Sequence, residues 1–463
     1  MATSPPAASP APRRLGSRLT LEVALAVSVA VAFADSSIVV LALPELYVDF
    51  ETSIPGISWV VTAYNVAVVV ASLALLPLVR RVRPARLALA GLLIFLASCV
   101  VCAVADDLGT LIGGRVAQGV GAALLLGASL PLFVAIGDRR ERAIGIWIAA
   151  GTLGTAVGPA LGGVLTEAFD WRAIFAVQAP LAAAAIVVAL DSRARALPPP
   201  SPIAERISLG SALGLVFTFA ALVGALFLAV LLVVTVWGYG PLSGAAIVSA
   251  LPLAALAVRP LSRRLPSPAD FAGGSVLLAA GLLALALLPA SDPAYAVPAL
   301  ALAGAGLGLA LPPLTRASVP DHGEVMRSAV VSVGVRHLGL VVGLLAVAPL
   351  LAAELDEAED RATINATAVI LDAPLPIQTK IPVALDLYDE FQATPEGEIP
   401  DLARPFDEQG ADDDEVVRET RDALLDEVQA VLTRAFRSSF TLSAVFALLA
   451  GASAVAFARR VEA

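Results

Sequence analysis

An ionisable side chain inside a long apolar run is costly and usually has a job. Asp35 sits about 13 residues into a run that begins near Glu22, roughly 20 Å along a helix and so near the middle of a bilayer. A carboxylate there must be protonated, paired or hydrated. Arg115 and Gln118 share one helical face, three residues apart, in the apolar run Leu111–Ile136, and Arg115 is the expected partner of Asp35. A carboxyl held between desolvation and a nearby arginine can load and release a proton as its surroundings dry and wet. The alternative is a fixed ion pair that only ties two helices together. Cys99 and Cys102 lie one turn apart with no other thiol and no nearby histidine, so they read as packing residues. No metal and no cofactor is expected, nor a disulfide framework.

The elements that would position these groups are membrane-spanning helices. With 58% apolar and 15% charged residues over 463 positions, the chain reads as a polytopic membrane protein rather than a soluble enzyme. Apolar runs of spanning length fall at about 22–44, 57–79, 86–105, 109–136, 142–166 and 171–190, and then at 209–236, 241–260, 269–289, 295–315, 326–352 and 437–458. Arginine clusters at 13–18, 80–86, 139–142, 193–206, 259–264, 316–327 and 459–460 all fall on one side if these are twelve spans. The excess of positive charge puts that side, with both termini, in the cytoplasm. Residues 1–20 read as a disordered tail, 21–190 as a first half of six helices, and 191–208 as a cytoplasmic linker.

An internal repeat supports this count. Pro77-Leu78-Val79-Arg80-Arg81-Val82 matches Pro260-Leu261-Ser262-Arg263-Arg264-Leu265 at an offset of 183 residues (260 minus 77). That offset superposes the first five spans on spans seven to eleven within 209–352, giving an all-α architecture of two six-helix parallel repeats. A segment over 353–436 interrupts the second repeat before its last span and tail, 437–463. Between Glu354 and Ala435 it carries 22 acidic and 6 basic residues. By topology it is extracellular. Asp412, Asp413, Asp414 and Glu415 suit a helix start, and Val417, Leu424, Val428, Val431 and Leu432 recur at helical spacing after it. The expectation is two helices that extend the flanking spans around a Pro-containing middle. A solvated cap is its simplest reading, with cation gathering or an extracellular partner as alternatives.

Two glycine-rich stretches sit at the centre of the first half. Gly151, Gly154, Gly158 and Gly162 line one side of a helix at the spacing that lets two backbones touch inside lipid. Pro159 follows Gly158 and marks a bend or weak point. Leu111, Arg115, Gln118, Gly119 and Gly121 look like the fourth-helix motif of the major facilitator superfamily. Gly154, Gly158, Pro159, Gly162 and Gly163 resemble the fifth-helix motif of that family's drug:proton antiporters. Ala34 to Pro44, centred on Asp35, resembles the first-helix motif of the fourteen-span drug:proton antiporters, and Trp59 to Tyr64 that group's second-helix opening. Trp171-Arg172 with Phe175, Gln178 and Pro180 resembles its sixth helix. Arg336-His337-Leu338-Gly339 with Gly343 resembles its Arg-Gln-Leu-Gly-Gly segment, with histidine in place of glutamine. The sequence departs from the pattern in having twelve spans. It also has Leu76, Arg80 and Arg83 where a gating loop has glycine, aspartate and glycine.

The resemblance implies a secondary transporter that exports a lipophilic small molecule in exchange for protons by alternating access. Asp35 and Arg115 would couple to the proton, and Gly154, Gly158, Pro159, Gly162 and Gly163 would form the contact that rocks between states. Trp59, Tyr64, Asn65, Gln118, Arg336 and His337 would be cavity residues. The expected partners are a small-molecule substrate, protons and the lipid bilayer of the cell membrane, with a monomeric chain and no nucleic acid. A metabolite importer of the same superfamily, or a non-transporting receptor or assembly factor using the outer segment, are the alternatives.

Overall fold

Helix limits in the computed structural model follow local sequence. The structure describes residues 17–137, 139–199, 209–262, 268–317, 325–393, 402–408 and 414–458. The expected first tail up to residue 16, the second half of the cytoplasmic linker, Arg263 and Arg264, Asp412 and Asp413, and the last five residues lie outside them. Helix α1, Arg18–Ile38, starts at Ser17, whose hydroxyl accepts from the Thr20 amide, and continues through one tighter turn into Leu43–Asp49. Ser53 and Asp107 cap α2 (Ile54–Leu75) and α4 (Leu108–Ile136) in the same way, and Pro84 opens α3 (Pro84–Ala103). The first half closes with α5 (Arg140–Ala168) and α6 (Arg172–Ala183).

The second half holds α7 (Leu209–Val230), α8 (Pro241–Ala257), α9 (Pro268–Ala286), α10 (Pro293–Ala317) and α11 (Val325–Asp372). After α12 (Ile377–Ala393) and α13 (Glu415–Ala435) comes α14 (Arg437–Ala458). Every regular element among the described residues is helical. Ten of the described helices are long and apolar enough to cross a membrane, whereas Pro241–Ala257 and Phe271–Ala286 are apolar but shorter. Helix α8 is also broken at Ser249 into two eight-residue stretches.

The internal repeat appears as repeated contacts. A Cβ at Gly91 of α3 would meet the Gly121 carbonyl of α4, and one at Gly274 of α9 would meet the Gly306 carbonyl of α10. Gly154 and Gly158 of α5 press on the Ala30 and Ala34 carbonyls of α1. Gly339 and Gly343 of α11 press on the Val216 and Ala220 carbonyls of α7 in the same manner. The offset of 183 residues holds from α3 to α9 (274 minus 91) and becomes 185 from α5 to α11 (339 minus 154). Contacts between halves obey the same symmetry, since α5 packs on α8 and α11 packs on α2.

Helix α11 has 48 residues, roughly 72 Å at 1.5 Å per residue, more than twice the bilayer's hydrocarbon thickness of about 30 Å. Its distal turns bury Ala358, Ala362, Ala366 and Ile370 in one cluster with Leu424, Val428 and Leu432 of α13. Asn365 Nδ2 donates to Glu427 Oε1 at 2.9 Å across that seam. Asp414 caps α13, and Trp237 Nε1, just past α7, donates to Thr433 Oγ1 at 3.0 Å.

Candidate functional site

Close backbone approach builds the centre of the first half. A Cβ at Gly119 would collide with the Tyr64 carbonyl, so α2 and α4 touch there. One turn earlier on α4, Arg115 can therefore reach the Val60 carbonyl, to which its Nε donates at 2.9 Å. Its Nη1 donates to Asp35 Oδ2 of α1 at 2.5 Å and to Gln118 Oε1 at 2.7 Å. Both side chains of the pair are wholly buried. The guanidinium lies over the Tyr64 ring, 4.5 Å from its centroid, with Phe175 of α6 at 5.7 Å.

The surrounding polar groups are nearly all satisfied. Gln118 Nε2 donates to Gln178 Oε1 at 3.3 Å and to Cys99 Sγ at 3.2 Å. Tyr64 donates its hydroxyl proton to the Ala32 carbonyl at 2.7 Å. Ser36 Oγ donates to Asn65 Oδ1 at 3.0 Å, and Asn65 Nδ2 donates to the Val61 carbonyl at 2.8 Å. Asp35 Oδ1 and Gln178 Nε2 make no hydrogen bond of standard geometry, although the Gln178 side chain lies close enough to act on the Asp35 carboxyl. A carboxyl with one oxygen tied to arginine and the other without such a bond can take a proton without first breaking every bond it makes.

The glycines of α5 back this site directly. Gly158 faces Ser37, the Ala34 carbonyl and the Ile38 amide, and Gly162 faces the Ile38 carbonyl. The α1 turn that carries Asp35 is thus seated closely on α5, with only the small Ser37 side chain at Gly158, where its hydroxyl donates to the Thr155 carbonyl at 3.2 Å. Gly163 points elsewhere, at Ala245 and the Pro241 carbonyl of α8 in the other half, and Pro159 is buried within the helix.

Arg336 and His337 come to the same region from α11. His337 lies 6.0 Å from the Tyr64 ring and 6.1 Å from Phe33, centroid to centroid. The Arg336 guanidinium is 5.3 Å from the ring centres of Phe33 and Trp147 and 5.6 Å from Phe219. Tyr64, Asn65 and Gln118 are buried beside Asp35, but Trp59 is not brought to this group. It is 45% exposed and lines an outer apolar groove with Ile112, Val116 and Val120, because α2 turns it to a different face from Tyr64. The aromatic trio Phe33, Trp147 and Phe219 was not singled out from sequence. Its one prior signal is that Phe33 and Trp147 stand in the spans that carry Asp35 and the glycine stripe.

A family model described as the Major Facilitator Superfamily matches residues 25–352. The chain belongs to the major facilitator superfamily. Among curated members of this superfamily, it is 35% identical over 161 residues to the "Multidrug resistance protein Stp" of Mycobacterium tuberculosis, covering 34% of this chain and 30% of that protein. It is 32% identical over 174 residues to the "Methylenomycin A resistance protein" of Bacillus subtilis, covering 37% of each. It is 34% identical over 160 residues to the "Riboflavin transporter RibZ" of Clostridioides difficile, covering 34% of this chain and 35% of that one. The chain thus spans about a third of the length of these curated relatives. Across the whole fold it is similar to a crystal structure of a bacterial homolog of the human lysosomal transporter Spinster, in an inward-facing, occupied conformation. The TM-score is 0.67 at 16% identity, covering 96% of this chain and 97% of that one.

Proposed function

We propose that this major facilitator protein is a proton-coupled exporter of lipophilic small molecules. It works as a monomer of twelve spans with both termini in the cytoplasm of a bacterial cell membrane and the acidic segment outside. The observation that carries the reading is the buried Asp35–Arg115 pair, which joins α1 to α4 at 2.5 Å and leaves one carboxylate oxygen without a hydrogen bond of standard geometry. Protonation of Asp35 removes the charge that holds Arg115, so α1 and α4 loosen; loss of the proton restores the pair. Because α1 rests on the glycines of α5, and α5 bears on α8, a shift of α1 is passed to the contact between the halves. Alternation between outward and inward access then follows from two packings of the same interface. The similarity to the multidrug resistance protein Stp and the methylenomycin A resistance protein supports export of a foreign compound.

The test is functional. A bacterial host lacking its own pumps, expressing the chain, is screened for raised tolerance to lipophilic antibiotics and dyes. The compounds that score are then followed into inverted vesicles under an imposed pH gradient. Uptake should be abolished by an uncoupler and by Asp35→Asn, with the variant present in the membrane at normal abundance. Gradient-driven uptake at the wild-type rate in Asp35→Asn would sink the coupling role.

A further inference from the structure

Among the described residues, Arg336 is a buried cation with no counter-charge beside it. It is 4% exposed, and its single hydrogen bond runs from Nη2 to Thr315 Oγ1 at 2.9 Å. Its Nε has no partner, and neither ring nitrogen of the adjoining His337 has one. Among the described residues Arg336 has no carboxylate within ion-pair distance, whereas Arg115, equally buried, has Asp35. Aromatic faces compensate a guanidinium only in part, and an isolated buried charge is otherwise expensive.

The space beside it says what could complete the pair. Arg336 lines a cavity of about 30 Å³, with Gly151, Thr152 and Thr155 of α5 on one wall and Phe219, Leu222 and Leu226 following α7 on the other. A second cavity of about 20 Å³ is lined by His337 and shares Thr155, Phe219, Leu222 and Leu226 with the first. The two are pieces of one seam between the halves, largely apolar on the α7 side and dotted with the hydroxyls of Ser36, Ser37, Thr152 and Thr155 on the other, with Arg336 in one cavity and His337 in the other. A Cβ at Gly151 would lie 3.0 Å from Phe33 Cδ2 and 3.5 Å from Arg336 Nη1, so the wall at the guanidinium is bare for want of a side chain. As described, the seam has room for little more than water, so a substrate enters as the halves part.

Resting on the transport reading above, we infer that the substrate is a lipophilic acid, an apolar or aromatic scaffold bearing a carboxylate or sulfonate. Its anionic group pairs with Arg336 while the scaffold lies along Phe219, Leu222 and Leu226. Arg336 and His337 both line the seam with ring or guanidinium nitrogens that lack partners, and a planar guanidinium matches an acid's oxygens geometrically. The acid supplies the charge that Arg336 lacks, and Arg336 supplies selection against neutral and cationic compounds of the same shape.

The experiment uses the full chain in lipid nanodiscs and follows thermal unfolding with 2-naphthoate, 2-naphthalenesulfonate, 2-naphthamide, 2-naphthylmethylammonium and sodium sulfate. The two aromatic acids should stabilise the protein at concentrations where the amide, the cation and sulfate do not. Arg336→Gln should weaken that response roughly tenfold or more, as expected for losing a charge-assisted bond, and Arg336→Lys should keep part of it. Equal shifts from amide or cation, an equal shift from sulfate, no acid-selective shift, or an acid response unchanged in a folded Arg336→Gln protein would each overturn the inference. Acid-selective binding without proton-driven transport would retire the exporter reading and leave the anion site standing. Transport of neutral or cationic dyes without acid selectivity would do the reverse.

Discussion

Two arginines of the same core stand in opposite situations, and their variants should behave oppositely. Arg115 holds Asp35, so Arg115→Met leaves a buried carboxylate without its partner and should cost about 3–5 kcal/mol of stability. Arg115→Met with Asp35→Asn removes both charges and should recover most of that loss in thermal unfolding of the detergent-solubilised protein. If the double variant is no more stable than Arg115→Met alone, the pair is not what holds α1 to α4. Arg336 has no such partner to strand, so Arg336→Gln is expected to fold. Asp35 and Arg115 were legible in the sequence because a charge in an apolar run demands an explanation. Their meeting was expected too, and depth is the reason it occurs: Asp35 is 17 residues past the start of α1 and Arg115 is 7 past the start of α4, roughly 26 and 10 Å along their axes. Counted from opposite faces, those depths coincide near one level of a bilayer. The ring cluster around Arg336 left only the weak trace that Phe33 and Trp147 share spans with Asp35 and the glycine stripe, because phenylalanine and tryptophan in a membrane helix suit lipid, packing and cation contact alike.

Helix pairing rests on a few glycines whose missing side chains are filled by a neighbour's backbone. Gly154→Val and Gly339→Val place atoms against the Ala30 and Val216 carbonyls respectively, and each should destabilise the protein by about 1–3 kcal/mol through overpacking. Measured by thermal unfolding and by vesicle transport, both should fall together, since the α1–α5 and α7–α11 contacts are counterparts. Gly113→Ala and Gly145→Ala are the controls, because a Cβ at either position meets nothing within 4 Å. A drop at Gly154 with none at Gly339 would mean that only the first half depends on close approach. The first stripe was readable from its spacing and from Pro159. The second was noticed only as Gly339 and Gly343 within a resemblance, because a pair of glycines in an apolar run is common without its facing carbonyls. The span expected at 241–260 carries an interruption at Ser249 that hydropathy, which only counts apolar residues, cannot see.

At the scale of the whole chain, the segment after α11 separates that helix from α14, the last apolar one. Replacing residues 373–413 with a short Gly/Ser linker keeps the seam between α11 and α13 and removes Leu375, Val383, Leu387 and Phe406 from the apolar cluster. We expect the shortened protein to reach the membrane at normal abundance and to transport, read in the same vesicles. Normal insertion with lost transport would assign the segment a part in the cycle. The pairing of halves has an ancestral consequence. Helices α2 and α5 of the first half are covered by α11 and α8 of the second, and these are the duplicates of α5 and α2. A lone first half therefore exposes two faces that a second copy of itself is shaped to cover, by a two-fold exchange. Residues 17–199 produced alone should run in detergent as a homodimer by light scattering, a living trace of a smaller progenitor that worked in pairs before its gene was doubled. A monomer would count against that lineage.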